Sequence, residues 1–67
     1  MKFITNILVV GHSVYRVEYT EKRISGFDSF YTFNSLVREL TDYPDKYLIS
    51  HKIPREIKAL FPKIKEV

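Results

Sequence analysis

The chain of 67 residues has room for one domain, near the lower size at which a chain folds without disulfides or metal. It has no cysteine, which excludes a disulfide framework and a thiolate metal cage, and a composition 45% hydrophobic with ten aromatics excludes an extended disordered chain. Residues 1–50 balance six cations against six carboxylates, so the whole net charge of +3 sits in residues 51–67.

The opening "MKFITNILVVGHS" has the lysine and apolar run of a secretory leader. Thr5 and Asn6 interrupt the run and no small-residue cleavage site follows. No stretch approaches the roughly 20 apolar residues of a membrane-spanning helix. The sequence therefore reads as a cytoplasmic protein that does not enter a membrane.

Residues 3–10 and 14–21 are rich in Val, Ile, Tyr and Phe and predict the two strands of an N-terminal hairpin. Gly11 supplies the positive φ of a tight turn, with His12 and Ser13 completing the loop. The two arms differ. Residues 14–20 alternate apolar and polar, whereas Phe3, Ile4, Ile7, Leu8, Val9 and Val10 occupy both parities. A two-residue loop puts Ile4, Asn6, Leu8 and Val10 on the core face with Tyr15, Val17 and Tyr19. The outer face then carries Val9 and Val14, Ile7 and Arg16, Thr5 and Glu18, and Phe3 and Thr20. A three-residue loop exchanges the partners but still leaves an apolar set on each side.

"EKRISG" reads as a charged turn over residues 21–26 and "FDSFYTF" as an irregular third strand over residues 27–33. Phe33, Leu36, Val37 and Leu40 then fall at helical spacing. Thr32 or Asn34 can cap that helix, and Pro44 ends it. "KYLISHKI" alternates and predicts a fourth strand over residues 46–53. Pro54 suits the first turn of a second helix, whose apolar stripe runs through Ile53, Ile57, Leu60, Phe61 and Ile64, with Pro62 ending or kinking it. The order β-β-(β)-α-β-α predicts an α+β domain: a small antiparallel sheet of three to four strands with one or two short helices.

The greasy first strand admits two explanations. In one, the C-terminal amphipathic segment packs on the far side of the sheet and buries Phe3, Ile7, Val9 and Val14. In the other, that face is covered by a second copy or another protein, since contiguous exposed apolar patches mark interaction surfaces.

Chemistry-bearing constellations are sparse. His12 and Ser13 are adjacent, but neighbours on an extended chain point to opposite faces, and no glycine-flanked serine elbow surrounds them. His51 lies beside Ile49 and Ile53 as a core or rim histidine, and the acids and histidines show no metal-ligand spacing. Asp42 and Asp45 flank Pro44 as turn residues. With Gly11 and Gly26 the only glycines there is no phosphate loop. The expectation is a protein without enzymatic activity, cofactor, metal or small-molecule substrate.

The expected role is instead that of a regulator or inhibitor that occupies a surface of a larger protein, or of its own copy. Bacteriophage and mobile-element accessory proteins that act on host or defence enzymes, in the host-cell cytoplasm, have this build. Ile7, Val9 and Val14 are the expected anchors, with Arg16 and Glu18 fixing register by charge. The alternative partner is nucleic acid, met by the tail cations Arg55, Lys58, Lys63 and Lys65.

Overall fold

The hairpin expected from residues 3–21 forms the middle of the structure. In a computed structural model describing Met1–Val67, strand β1 (Lys2–Val10) and strand β2 (Val14–Glu21) pair antiparallel. The loop is Gly11–Ser13, and Val10 lies opposite Val14. Gly11 turns the chain with φ +66°, a conformation glycine adopts without steric cost.

Directly opposed residues share a face of such a pair. Tyr15, Val17 and Tyr19 therefore share theirs with Val9, Ile7 and Ile4, residues of mixed parity. A β-bulge is the reason. The register steps from Ile4–Tyr19 to Asn6–Glu18 and leaves Thr5 as the extra residue. Polar side chains hold the bulge: the Thr5 hydroxyl donates to the Glu18 carbonyl at 3.3 Å, and the Ile7 amide donates to Asn6 Oδ1 at 3.0 Å. Ile4, Ile7 and Val9 thus face one side, and Phe3, Leu8 and Val10 the other.

Strand β3 (Ile24–Phe30) pairs antiparallel with β2 from Glu21–Ile24 to Tyr15–Phe30. It begins three residues before the expected third strand, and the expected six-residue turn shrinks to Lys22 and Arg23. Both adopt positive φ, +51° and +69°, as a two-residue hairpin turn of matching twist requires. Gly26 lies opposite Tyr19, and an added Cβ there would stand 3.0 Å from the tyrosine hydroxyl. Glycine lets that ring lie across β3. Lys2 sits 4.6 Å above the same ring and bonds Asp28 at 2.8 Å, a hydrogen bond that raises the lysine pKa.

Helix α1 (Phe33–Asp42) starts at Thr32, whose hydroxyl accepts the Ser35 amide at 3.0 Å. Thr32 rather than Asn34 is the cap. After a single 3-10 turn at Pro44–Lys46, strand β4 (Tyr47–Ile49) joins β1 in parallel. The expected sheet was wholly antiparallel, whereas the observed one, completed by strand β5 (Lys65–Glu66), has five strands in the order β3-β2-β1-β4-β5, with β1–β4 and β4–β5 both parallel. Connectivity explains this. β3 runs in the direction of β1, and α1 returns the chain to its starting end, so the next strand runs the same way.

The fourth strand also stops earlier than expected. Ser50 still donates to the Ile4 carbonyl at 3.0 Å, but Ile53 then bonds back to Ser50 in a turn, which leaves His51 exposed rather than on a core face. Helix α2 is only Arg55–Lys58. Phe61 and Ile64 are buried, and burying them draws the chain back to the sheet as strand β5 (Lys65–Glu66). Lys58 clasps Glu66 at 2.8 Å, and that hydrogen bond holds the carboxyl below its ordinary range.

One core joins these elements: Ile4, Val17, Leu36, Leu40, Tyr47, Ile49, Ile53, Phe61 and Ile64. Leu36 and Leu40 come from α1, and Ile53, Phe61 and Ile64 from the C-terminal segment. Both cover the same side of the sheet, so the tail does not pack on the far side. No helix is long and apolar enough to cross a membrane.

The Lys22–Arg23 turn is the most strained stretch of backbone, since side-chain-bearing residues disfavour positive φ. Replacing Lys22→Asn together with Arg23→Gly should stabilise the domain by about 1 kcal/mol, a rise of roughly 4–8 °C in Tm at this chain length. Thermal unfolding by circular dichroism reads it.

Candidate protein-docking site at the hairpin

The helical layer covers the sheet incompletely near the hairpin loop. Val9 points to the covered side yet is 58% exposed, and Phe33 and Leu60 beside it are 43% and 45% exposed. These three belong to an apolar notch of about 160 Å³. The β1 stretch Ile7–Val9 and Tyr15 wall it from the hairpin, Phe33 and Leu36 from α1, and Ile57, Leu60 and Phe61 from the C-terminal segment. The Tyr15 and Phe33 rings tilt against each other at 5.7 Å between centroids. Its floor reaches the core through buried Leu36 and Phe61.

Local sequence builds each wall. The three-residue loop sets Val9 and Ile7 opposite Tyr15 and Val17, the Thr32 cap starts α1 so that Phe33 stands at its first turn, and Pro62 follows Phe61 where the chain leaves the α2 turn. The five residues expected to form one docking patch are therefore divided. Ile7 and Val9 line the notch, whereas Val14, Arg16 and Glu18 lie on the opposite, bare face. The two-residue loop assumed for the alternation is one residue too short, and the bulge then offsets half of the first strand.

On that bare face Phe3, Leu8, Val10, Val14 and Leu48 are half-buried by their neighbours. Arg16 covers part of it. Its guanidinium lies 4.3 Å from the Phe27 ring centroid and 3.6 Å from Glu18. Phe33 and Leu60 belong to the notch but read in the sequence only as members of helical stripes. The signal that sets them apart is position: each stands at the end of its stripe, where cover runs out.

The largest depression, about 750 Å³, is polar and lies at the other end of the covered face. Several of its groups are engaged with one another. Asp28 holds Lys2, and Glu39 accepts the Tyr47 hydroxyl at 2.9 Å. Burial first, and the Glu39 carboxylate second, push the Tyr47 phenol well above its ordinary range. It is a neutral donor there. His12 and Ser13 are exposed in the hairpin loop, and His51 Nδ1 lies 3.2 Å from the Val67 carbonyl.

The tail cations do not form one helical face. Arg55 and Lys58 lie on the four-residue α2, Lys63 follows Pro62 in a turn, and Lys65 is on β5 opposite Leu48. Lys58 is committed to Glu66 and to the His51 carbonyl at 3.3 Å. A continuous basic helix needs residues 59–65 to stay helical, and Pro62, which has no N–H to donate and crowds the preceding turn, prevents that.

Exposure separates notch from core. Val9→Glu should change stability by no more than about 0.5 kcal/mol, as for other surface positions. Ile4→Ala, at a fully buried site, should cost about 2–5 kcal/mol. That is much of what a chain this size has. Urea unfolding of the two variants beside the parent checks both figures. No protein family, curated protein or solved structure matches the chain, and its function is read from the geometry above.

Proposed function

We propose that the protein is a non-enzymatic binding module that takes one large apolar side chain of a partner protein into the notch between hairpin and helices. The observation that carries this is the exposure of Val9, Phe33 and Leu60 around a concavity whose lining residues are all hydrophobic. Removing such surface from water is worth roughly 25 cal/mol per Å². Interface hot spots are built this way: an apolar anchor in a well-packed pocket, ringed by contacts that exclude water.

Size selects the occupant. Pockets for drug-sized ligands run to about 300–1,000 Å³ and carry a few placed polar groups. The notch is about half the lower bound, and its hydrophobic lining offers no charged side chain to orient a small molecule. One leucine, methionine or phenylalanine of a protein segment matches it. The mode suits a regulator or inhibitor that works by occupying a surface of a larger protein.

Peptides selected from a random library on the parent protein test the reading. They should share a single large apolar residue and bind Val9→Glu at least about tenfold more weakly, a difference of about 1.4 kcal/mol. Selected peptides that bind parent and Val9→Glu equally would contradict it, as would a set sharing only charged residues.

A further inference from the structure

We propose that the chain forms a two-fold dimer by antiparallel pairing of β3 with β3 of a second copy, centred on Phe27. β3 is an edge strand. Natural edges are blunted by lysine, proline or a bulge, and Ile24–Phe30 contains none of these. Its one charge, Asp28, is already bound by Lys2 at 2.8 Å. Ile24 and Phe27 are 72% and 54% exposed.

The pairing of β3 with β2 fixes which backbone groups are free. In a two-residue hairpin the residues flanking the turn exchange both backbone bonds, and the exchange recurs at every second pair. Glu21–Ile24, Tyr19–Gly26, Val17–Asp28 and Tyr15–Phe30 are those pairs. Ser25, Phe27 and Ser29 thus direct their N–H and C=O groups outward, three donors and three acceptors along a free edge.

The sequence of the edge selects a second copy as occupant. "ISGFDSF" reads nearly alike in both directions about Phe27: serine at both flanks, a small residue at each neighbour, a large apolar residue at each end. A two-fold contact places each residue against its mirror position. With Phe27 opposite Phe27, Ser25 meets Ser29, Gly26 meets Asp28, and Ile24 meets Phe30. All the outward groups are then used. The exposed Ile24 gains an apolar neighbour, and each Asp28 faces a glycine.

Other registers lose this match. A shift that centres the axis on residue 28 sets Asp28 against Asp28, which like-charge repulsion disfavours. Centring on residue 26 sets Ile24 against Asp28. In the Phe27 register the axis is perpendicular to the sheet, so two five-stranded sheets become one of ten strands, with the notches of both copies on the same side. The contact does not involve the notch residues and stands apart from that reading.

Sedimentation of the parent, Ser29→Pro and two single-cysteine variants tests it. Proline at position 29 removes only an outward N–H, a place where edge strands accept it. An edge contact falls in the small class below about 1,200 Å², so the dimer should appear as protein concentration rises and be lost in Ser29→Pro. The chain has no native cysteine. Opposed residues of a bonded pair have Cα atoms about 5.5 Å apart, within disulfide reach, so Phe27→Cys should oxidise to a covalent dimer while Ser25→Cys stays largely monomeric. A parent that remains monomeric at every concentration would overturn the proposal. So would equal cross-linking at positions 25 and 27, which keeps the test decisive even if Ser29→Pro fails to fold.

Discussion

The extra residue at Thr5 is the constraint on which the rest depends. Counted from the Val10–Val14 pair, a regular β1 would face Thr5 to the core beside Ile7 and Val9 and leave Ile4 on the bare side. The bulge takes Thr5 out of that row and brings Ile4 into line with Ile7 and Val9, which lie opposite Val17 and Tyr15. It is held by hydrogen bonds of the Thr5 and Asn6 side chains, the two residues that break the apolar run of the strand. One local offset in register therefore decides which methyl groups the helices meet.

What the helices then cover follows from size. Nine residues make the core, and three of them come from the segment after β4. A chain this short cannot build a second layer as well, and both helices are used on the same side. Ile53, Phe61 and Ile64 draw the tail inward, so that it ends as a strand rather than continuing as a basic helix. The bare sheet face, the edge at β3 and the partly open hairpin end are what that allocation leaves to solvent or to another molecule.

Much of the fold was legible in the sequence where a single physical signal dominated. The hairpin followed from β-rich runs flanking Gly11, α1 from its helical stripe and Thr32, and the α+β class from both. The bulge was not legible from periodicity, because apolar residues of both parities suit either a bulge or two buried faces. The Lys22–Arg23 turn was hidden because neither residue favours positive φ; the ladders on either side impose it. The parallel strands escaped because direction depends on the path of α1 across the sheet, which no local pattern records. Of the candidate site, Ile7 and Val9 were assigned to the wrong face, and Phe33 and Leu60 were read only as core stripe.

The placement of Ile7 and Val9 carries the functional reading, and one measurement addresses it. Methyl and aromatic nuclear Overhauser contacts of Ile7, Val9 and Val10 report directly which way each side chain of β1 points beyond Thr5. The account predicts contacts from Ile7 to Leu36 and from Val9 to Phe33 and Leu60, with Val10 contacting Val14 and neither helix. Contacts from Val10 to Phe33 or Leu60, with Val9 turned to the bare face, would show a first strand in the register of a two-residue loop and contradict the placement of the notch.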